Sequence, residues 1–116
     1  MTKATIYHNP RCSKSRQTLA LLEENNCEVT IVEYLKVAPS SSDIKKLLEL
    51  LNFAPREMMR TKEDEYKAQN LSDVNKTSED LVNAMVETPK LIERPIVLAN
   101  GKAVIGRPPE NVLDII

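Results

Sequence analysis

The sequence predicts an α/β fold: a small mixed sheet in the order β-α-β, then β-β-α, with helices outside and a helical region inserted at about residues 37–88. Three observations predict it. A short β-prone run, Ala4-Thr5-Ile6-Tyr7, gives way to a helical pattern from Ser13. Asn100-Gly101 stands between two β-prone runs, residues 95–99 and 102–105, the strongest local hairpin signal in the chain. Between these ends, apolar residues recur at spacings of three and four behind cap-forming residues.

The elements follow in order. His8-Asn9-Pro10-Arg11 ends the first strand, because proline cannot continue a central one. Leu19, Leu21 and Leu22 give the first helix its apolar face up to about Glu24, and Asn25-Asn26 stops it, since Asn tolerates the left-handed cap conformation. Val29, Ile31 and Val32 form a second strand ending near Tyr34. Ser40 and Asp43 make a capping pair before Ile44, Leu47, Leu48 and Leu51. Residues 55–60 read as a short helix with Pro55 at its first position, and residues 63–69 as another. Thr77 and Asp80 repeat the cap ahead of Leu81, Val82, Met85 and Val86, and Pro89 ends that helix. Asn-Gly favours a two-residue type I′ turn. Pro108-Pro109-Glu110 opens a terminal helix carrying Val112, Leu113, Ile115 and Ile116.

The 116 residues suit one domain, residues 1–116. At 41% hydrophobic and 28% charged the chain has a globular balance, and with one Phe, three Tyr and no Trp its core must be mostly Leu, Ile and Val. A formal net charge of −1 provides no global basic field for nucleic acid or an anionic membrane. No apolar run approaches the roughly 20 residues of a spanning helix, and no apolar signal core follows Met1, so a cytoplasmic protein is expected. Two cysteines and one histidine do not make a four-ligand metal set. With Gly101 and Gly106 the only glycines, there is no phosphate-cradling loop either, so no bound metal, nucleotide or other cofactor is expected.

The chemistry concentrates at Cys12, where strand one has ended and helix one begins. The first turn of a helix presents unpaired N–H groups and a partial positive charge, both of which favour thiolate over thiol. Arg11, Lys14 and Arg16 add positive charge, Ser13 and Ser15 can donate to sulfur or to a bound anion, and His8 can tune the site or order the loop. The segment from Pro10 to Arg16 is too polar to be core. A phosphatase loop is ruled out, because the sixth position after Cys12 is Thr18 where that loop needs Arg. The partner position of a dithiol CxxC site is Ser15, so Cys12 must release any adduct to an external thiol, or to Cys27 if that can reach. Cys27, at the far end of helix one and so roughly 20 Å away, reads as structural.

Tyr7-His8-Asn9-Pro10-x-Cys12-x-x-Ser15-Arg16, Arg60 with the later Tyr66, Glu93-Arg94-Pro95-Ile96-Val97, Gly106-Arg107-Pro108 and the closing Val112-Leu113-Asp114-Ile115 together resemble the glutaredoxin-dependent arsenate reductases, over nearly the whole chain. The resemblance implies a thioredoxin-like fold with an inserted helical region. It implies that Cys12 attacks arsenate, displacing water or hydroxide, and that glutathione and glutaredoxin reduce the arsenylated cysteine and release arsenite. It assigns oxyanion binding to Arg60, Arg94 and Arg107, and a cis peptide bond to Pro95. Arg11, Ser13 and Lys14 make this loop more basic than in the family's best-known members.

Elementary electrostatics supports the arginines independently. A thiolate approaching a multiply charged oxyanion meets like-charge repulsion, and guanidinium groups keep their charge and offer forked donors that fit oxyanion geometry. Two other readings use the same residues. Spx-type regulators share the fold and bind RNA polymerase, though many carry a CxxC switch that Ser15 removes here. A monothiol oxidoreductase acting on glutathione mixed disulfides would need only Cys12, Pro95 and a glutathione groove.

Overall fold

A computed structural model describes all residues, 1–116. The chain forms two compact units, one from residues 1–37 and 94–116, the other from residues 38–93. The second unit runs past the 37–88 read from helical periodicity, because the 3₁₀ turn Pro89–Leu91 and a bridge between Met59 and Ile92 close it.

The first unit is built on a four-stranded sheet in the order β2-β1-β3-β4, with β1 Lys3–Tyr7, β2 Glu28–Val32, β3 Ile96–Ala99 and β4 Lys102–Ile105. β1 runs parallel to β2 and antiparallel to β3, and β3 and β4 form the hairpin. This is the mixed, thioredoxin-like sheet that the sequence implies. The hairpin turn has φ of 54° at Asn100 and 73° at Gly101, the two positive values that a type I′ turn needs. Helix α1, Ser13–Glu24, connects β1 to β2 and ends where Asn26 takes the left-handed conformation (φ 59°).

Alternation along β1 buries Ala4 and Ile6, which join Leu22 of α1, Val97 and Ala99 of β3, and Val112 and Ile115 in one core. Cys27 packs against that core, as its structural reading expects. Gly106 marks a close approach: a Cβ there would lie 2.6 Å from Thr18 Oγ1.

In the second unit, α2 (Ser41–Leu51), α3 (Asp64–Ala68) and α4 (Ser78–Glu87) carry the inserted helices. Ser40 and Asp43 form the expected capping box on α2, and Thr77 and Asp80 the one on α4. Ile44 and Leu47 of α2 and Leu81, Val82 and Met85 of α4 are buried. Arg56 clips the loop beyond α3, donating to the carbonyls of Leu71 and Asp73.

Three expectations need correction. β2 stops at Val32, not near Tyr34, because the Glu33 carbonyl accepts from the N–H groups of Lys36 and Val37 and turns the chain. The segment after Ala54 is 3₁₀ and ends at Met58, two residues early, since the Arg60 N–H bonds to the Leu91 carbonyl. The terminal helix, Pro109–Asp114, is also 3₁₀. Its bonds close over three residues, as between the Asn111 N–H and the Pro108 carbonyl. No helix in the chain is long and apolar enough to cross a membrane.

Candidate functional site

Cys12 is the N-cap residue of α1, with extended backbone (φ −93°, ψ 122°) and a half-buried side chain. Its own N–H bonds to the Asn9 carbonyl at 3.0 Å, and its carbonyl accepts the Arg16 N–H at 3.0 Å, so sulfur is held over the first turn of the helix. The Cys12 thiol lies below its ordinary pKa. Burial is the largest single influence and opposes ionisation. It is outweighed by the Ser15 N–H, by the hydrogen bond and charge of Arg94, and by the Lys14 N–H, all directed at sulfur.

Two arginines from distant sequence thus meet Cys12. Arg107 Nη2 lies 3.7 Å from Cys12 Sγ, and Arg107 Nε donates to the Arg94 carbonyl at 2.7 Å. Arg94 is half-buried and Arg107 exposed. The Arg94–Pro95 bond is cis, as the resemblance implies; Arg107–Pro108 is cis as well.

The remaining loop residues hold this geometry from behind. Ser15 is fully buried; its hydroxyl accepts the Asn9 N–H at 3.0 Å and lies 2.6 Å from His8 Nδ1. Burial, the largest influence, and the charge of Arg16 lower the His8 pKa against an opposing effect of Glu33, which favours neutral imidazole. Neutral Nδ1 as acceptor of the Ser15 proton satisfies all three groups at once. The Ser15 side chain therefore serves the loop and only its main-chain N–H serves sulfur, which corrects the expectation that the hydroxyl donates to sulfur or to a bound anion. Arg16 Nη1 donates to the Pro10 carbonyl at 2.8 Å and pins the loop to the helix. Asn9 Oδ1 accepts the Arg11 N–H at 3.0 Å.

Arg60 belongs to the second unit. There its Nε donates to Glu63 at 2.9 Å and its Nη1 to Glu93 at 3.1 Å, both partly buried pairs. Lys90 extends the network to Glu63 and Glu65. Sequence reasoning assigned no role to Asn9 or Glu93, which it quoted only within the family motifs, nor to Tyr34, Glu33 or Glu63. Asn9 carried a local signal, an Asx turn just before proline; Glu63 stands three residues from Arg60, while Tyr34, Glu33 and Glu93 act on partners distant in sequence. No cluster of three His, Cys, Asp or Glu side chains is placed to hold a metal ion.

Residues 7–115 match the ArsC family model. Over 118 aligned residues the chain is 56% identical to the uncharacterized protein YfgD of Escherichia coli K12, covering 100% of this chain and 99% of that one. It is 48% identical to an arsenate reductase of Neisseria meningitidis serogroup A, covering 97% of each. Among solved structures, an arsenate reductase from Vibrio cholerae superposes with a TM-score of 0.97 at 50% identity, over 99% of this chain and 98% of that one.

Proposed function

This chain belongs to the ArsC family, and we propose that it is an oxidoreductase that reduces arsenate to arsenite through an adduct on Cys12, with glutathione and glutaredoxin as external reductants. The observation that carries the reading is the sulfur itself: a thiol lowered in pKa at a helix start, with Arg107 Nη2 at 3.7 Å and Arg94 bonded to it. Relatives that bear the name arsenate reductase support the substrate.

In the proposed reaction the Cys12 thiolate attacks As(V). A sulfur–arsenic bond forms, an arsenic–oxygen bond breaks, and the oxygen leaves as water after protonation. Arg94 and Arg107 hold the oxyanion and offset the repulsion between two negative groups. External thiols then supply one electron pair. As the sulfur–arsenic bond breaks, As(V) becomes As(III) and departs as arsenite, one glutathione thiol and one glutaredoxin thiol are oxidised to a mixed disulfide, and Cys12 returns to thiolate. His8, Ser15 and Arg16 keep the loop in place, and Pro95 leads from Arg94 into β3. Arg60 enters as a third oxyanion ligand on the family resemblance alone. The proposed setting is the cytoplasm, where glutathione keeps thiols reduced.

The test is direct. Purified protein with glutathione, glutaredoxin and arsenate is expected to yield arsenite, and Cys12→Ser to yield none. Arsenite production no greater than that of the variant would overturn the proposal. Reduction of a glutathione mixed disulfide in the same preparation, unaffected by Arg107→Ala, would point to a monothiol oxidoreductase instead.

A further inference from the structure

Tyr34 is fully buried although it lies beyond the end of β2 in a turn, flanked by half-buried Glu33 and exposed Leu35. A buried phenol normally has a polar partner for its hydroxyl. The sheet register indicates which one. Val32 of β2 and Ile96 of β3 both pair with Tyr7, one on each side of β1. Tyr34 lies two residues past Val32, and Arg94 two residues before Ile96. Both therefore stand at the end of β1 from which the Cys12 loop emerges. Neighbouring strands are about 4.8 Å apart, so β2 and β3 are separated by about 10 Å across β1, a gap that a tyrosine and an arginine reaching inward can close.

Arg94 interacts with the Tyr34 hydroxyl as well as with Cys12. Tyr34 Oη and Arg94 Nε are both sealed from solvent. The Arg94 carbonyl meanwhile accepts Arg107 Nε at 2.7 Å. Arg94 is thus the hub of the site: its side chain reaches sulfur, and its main chain anchors the second arginine. A guanidinium on a flexible stem loses rotamer freedom when it is fixed, and a rigid buried phenol supplies that restraint from below.

We propose that Tyr34 is a positioning residue, whose buried hydroxyl holds the Arg94 guanidinium against Cys12 and so fixes the geometry in which the thiolate and its oxyanion are met. The inference rests on the proposed reductase reading only for its kinetic consequence. Its consequence for the thiol stands without that reading.

The experiment uses Tyr34→Phe, which keeps the ring and removes one oxygen. The alkylation rate of Cys12 is followed against pH in the full-length chain, with Cys27→Ser as the common background. The midpoint is expected to rise by on the order of one pH unit, the scale of losing a positioned opposite charge. Tyr34→Phe added to Arg94→Ala is expected to shift it no further. In the arsenate assay kcat/KM is expected to fall about tenfold, as misplacement of a binding group would produce. In the unaltered chain, the Arg94 guanidinium protons are expected to exchange slowly by NMR. An unchanged alkylation midpoint in Tyr34→Phe would overturn the proposal, as would fast exchange of those protons. Absence of arsenate turnover with the midpoint shifted would overturn the reductase reading and leave the role of Tyr34 standing.

Discussion

Arg11 and Lys14 flank Cys12 in the sequence, and their charges suggested a sulfur surrounded by neighbouring cations. Both side chains are exposed; Lys14 acts on the thiol through its N–H, and the charge that leads in lowering its pKa is that of Arg94. Proximity in the chain was a poor guide because residues beside an N-cap point outward from the helix start while its amides converge on it. Folding lowers the Cys12 pKa, so between the folded and unfolded values the unfolded chain binds more protons. Stability from this group is fully present above the unfolded thiol's pKa and is lost as pH falls through the folded one. Denaturant titrations at a series of pH values should show that dependence in the natural chain and its loss in Cys12→Ser; equal pH slopes would contradict it. Arg107 is exposed, and its guanidinium reaches sulfur and the Arg94 carbonyl. Arg107→Ala should therefore leave the far-UV spectrum intact and lower kcat/KM for arsenate by roughly 10- to 100-fold, the worth of about 1.5–3 kcal/mol for a charge-assisted contact.

At the scale of elements, local chemistry decided most outcomes. Ser40 Oγ accepts the Asp43 N–H and Asp43 returns the bond to the Ser40 N–H, both at 3.1 Å, the reciprocal pair that the spacing announced. Ser40→Ala should cost about 1 kcal/mol of unfolding free energy, and Ser40→Asp should restore most of it; an unchanged urea midpoint in the alanine variant would show that α2 does not depend on its cap. The Asn100-Gly101 turn and the Asn26 helix stop were equally legible, because each needs a positive φ that few residues adopt. The elements that departed from expectation were those governed by distant partners. Residues 109–114 read as an α-helix from the proline start and the apolar residues that follow it, yet Asn111 donates its side chain to the carbonyls of Ile105 and Arg107 and ties the segment to the end of β4. Tyr34 read as strand, and its partner Arg94 lies 60 positions further along the chain. Cys12 was legible because helix starts and thiols have general rules; Arg94 and Arg107 came from resemblance and electrostatic need, and only folding could bring them to one atom.

The whole molecule explains why that convergence demands the complete chain. The central strand β1 pairs with β2 after one helix, but its other edge waits for β3: Ala4 pairs with Ala99, and Tyr7 with Ile96. The core is divided the same way. Ala4, Ile6 and Leu22 come from the beginning of the sequence, while Val97, Ala99, Val112 and Ile115 come from its end. A chain stopped after Glu93 would keep the Cys12 loop and the start of α1 but expose one edge of β1 and the apolar face of α1 that the terminal 3₁₀ segment covers. Two strands and one helix without that covering bury too little surface to offset their ordering entropy. The truncated chain should therefore bind a hydrophobic dye and lose the cooperative near-UV transition of the full chain. Its Cys12 should titrate like a thiol in an unfolded peptide, since Arg94 is gone and the amides of Lys14 and Ser15 are no longer held in a helix. Adding residues 94–116 as a separate peptide should recover part of the lowered thiol pKa by completing the sheet, because β3 contributes through main-chain pairing and needs no covalent link to β1. A truncated chain that alkylates with the pH profile of the full protein would show that the helix start alone suffices, and would remove the arginines from the account of how this sulfur is ionised.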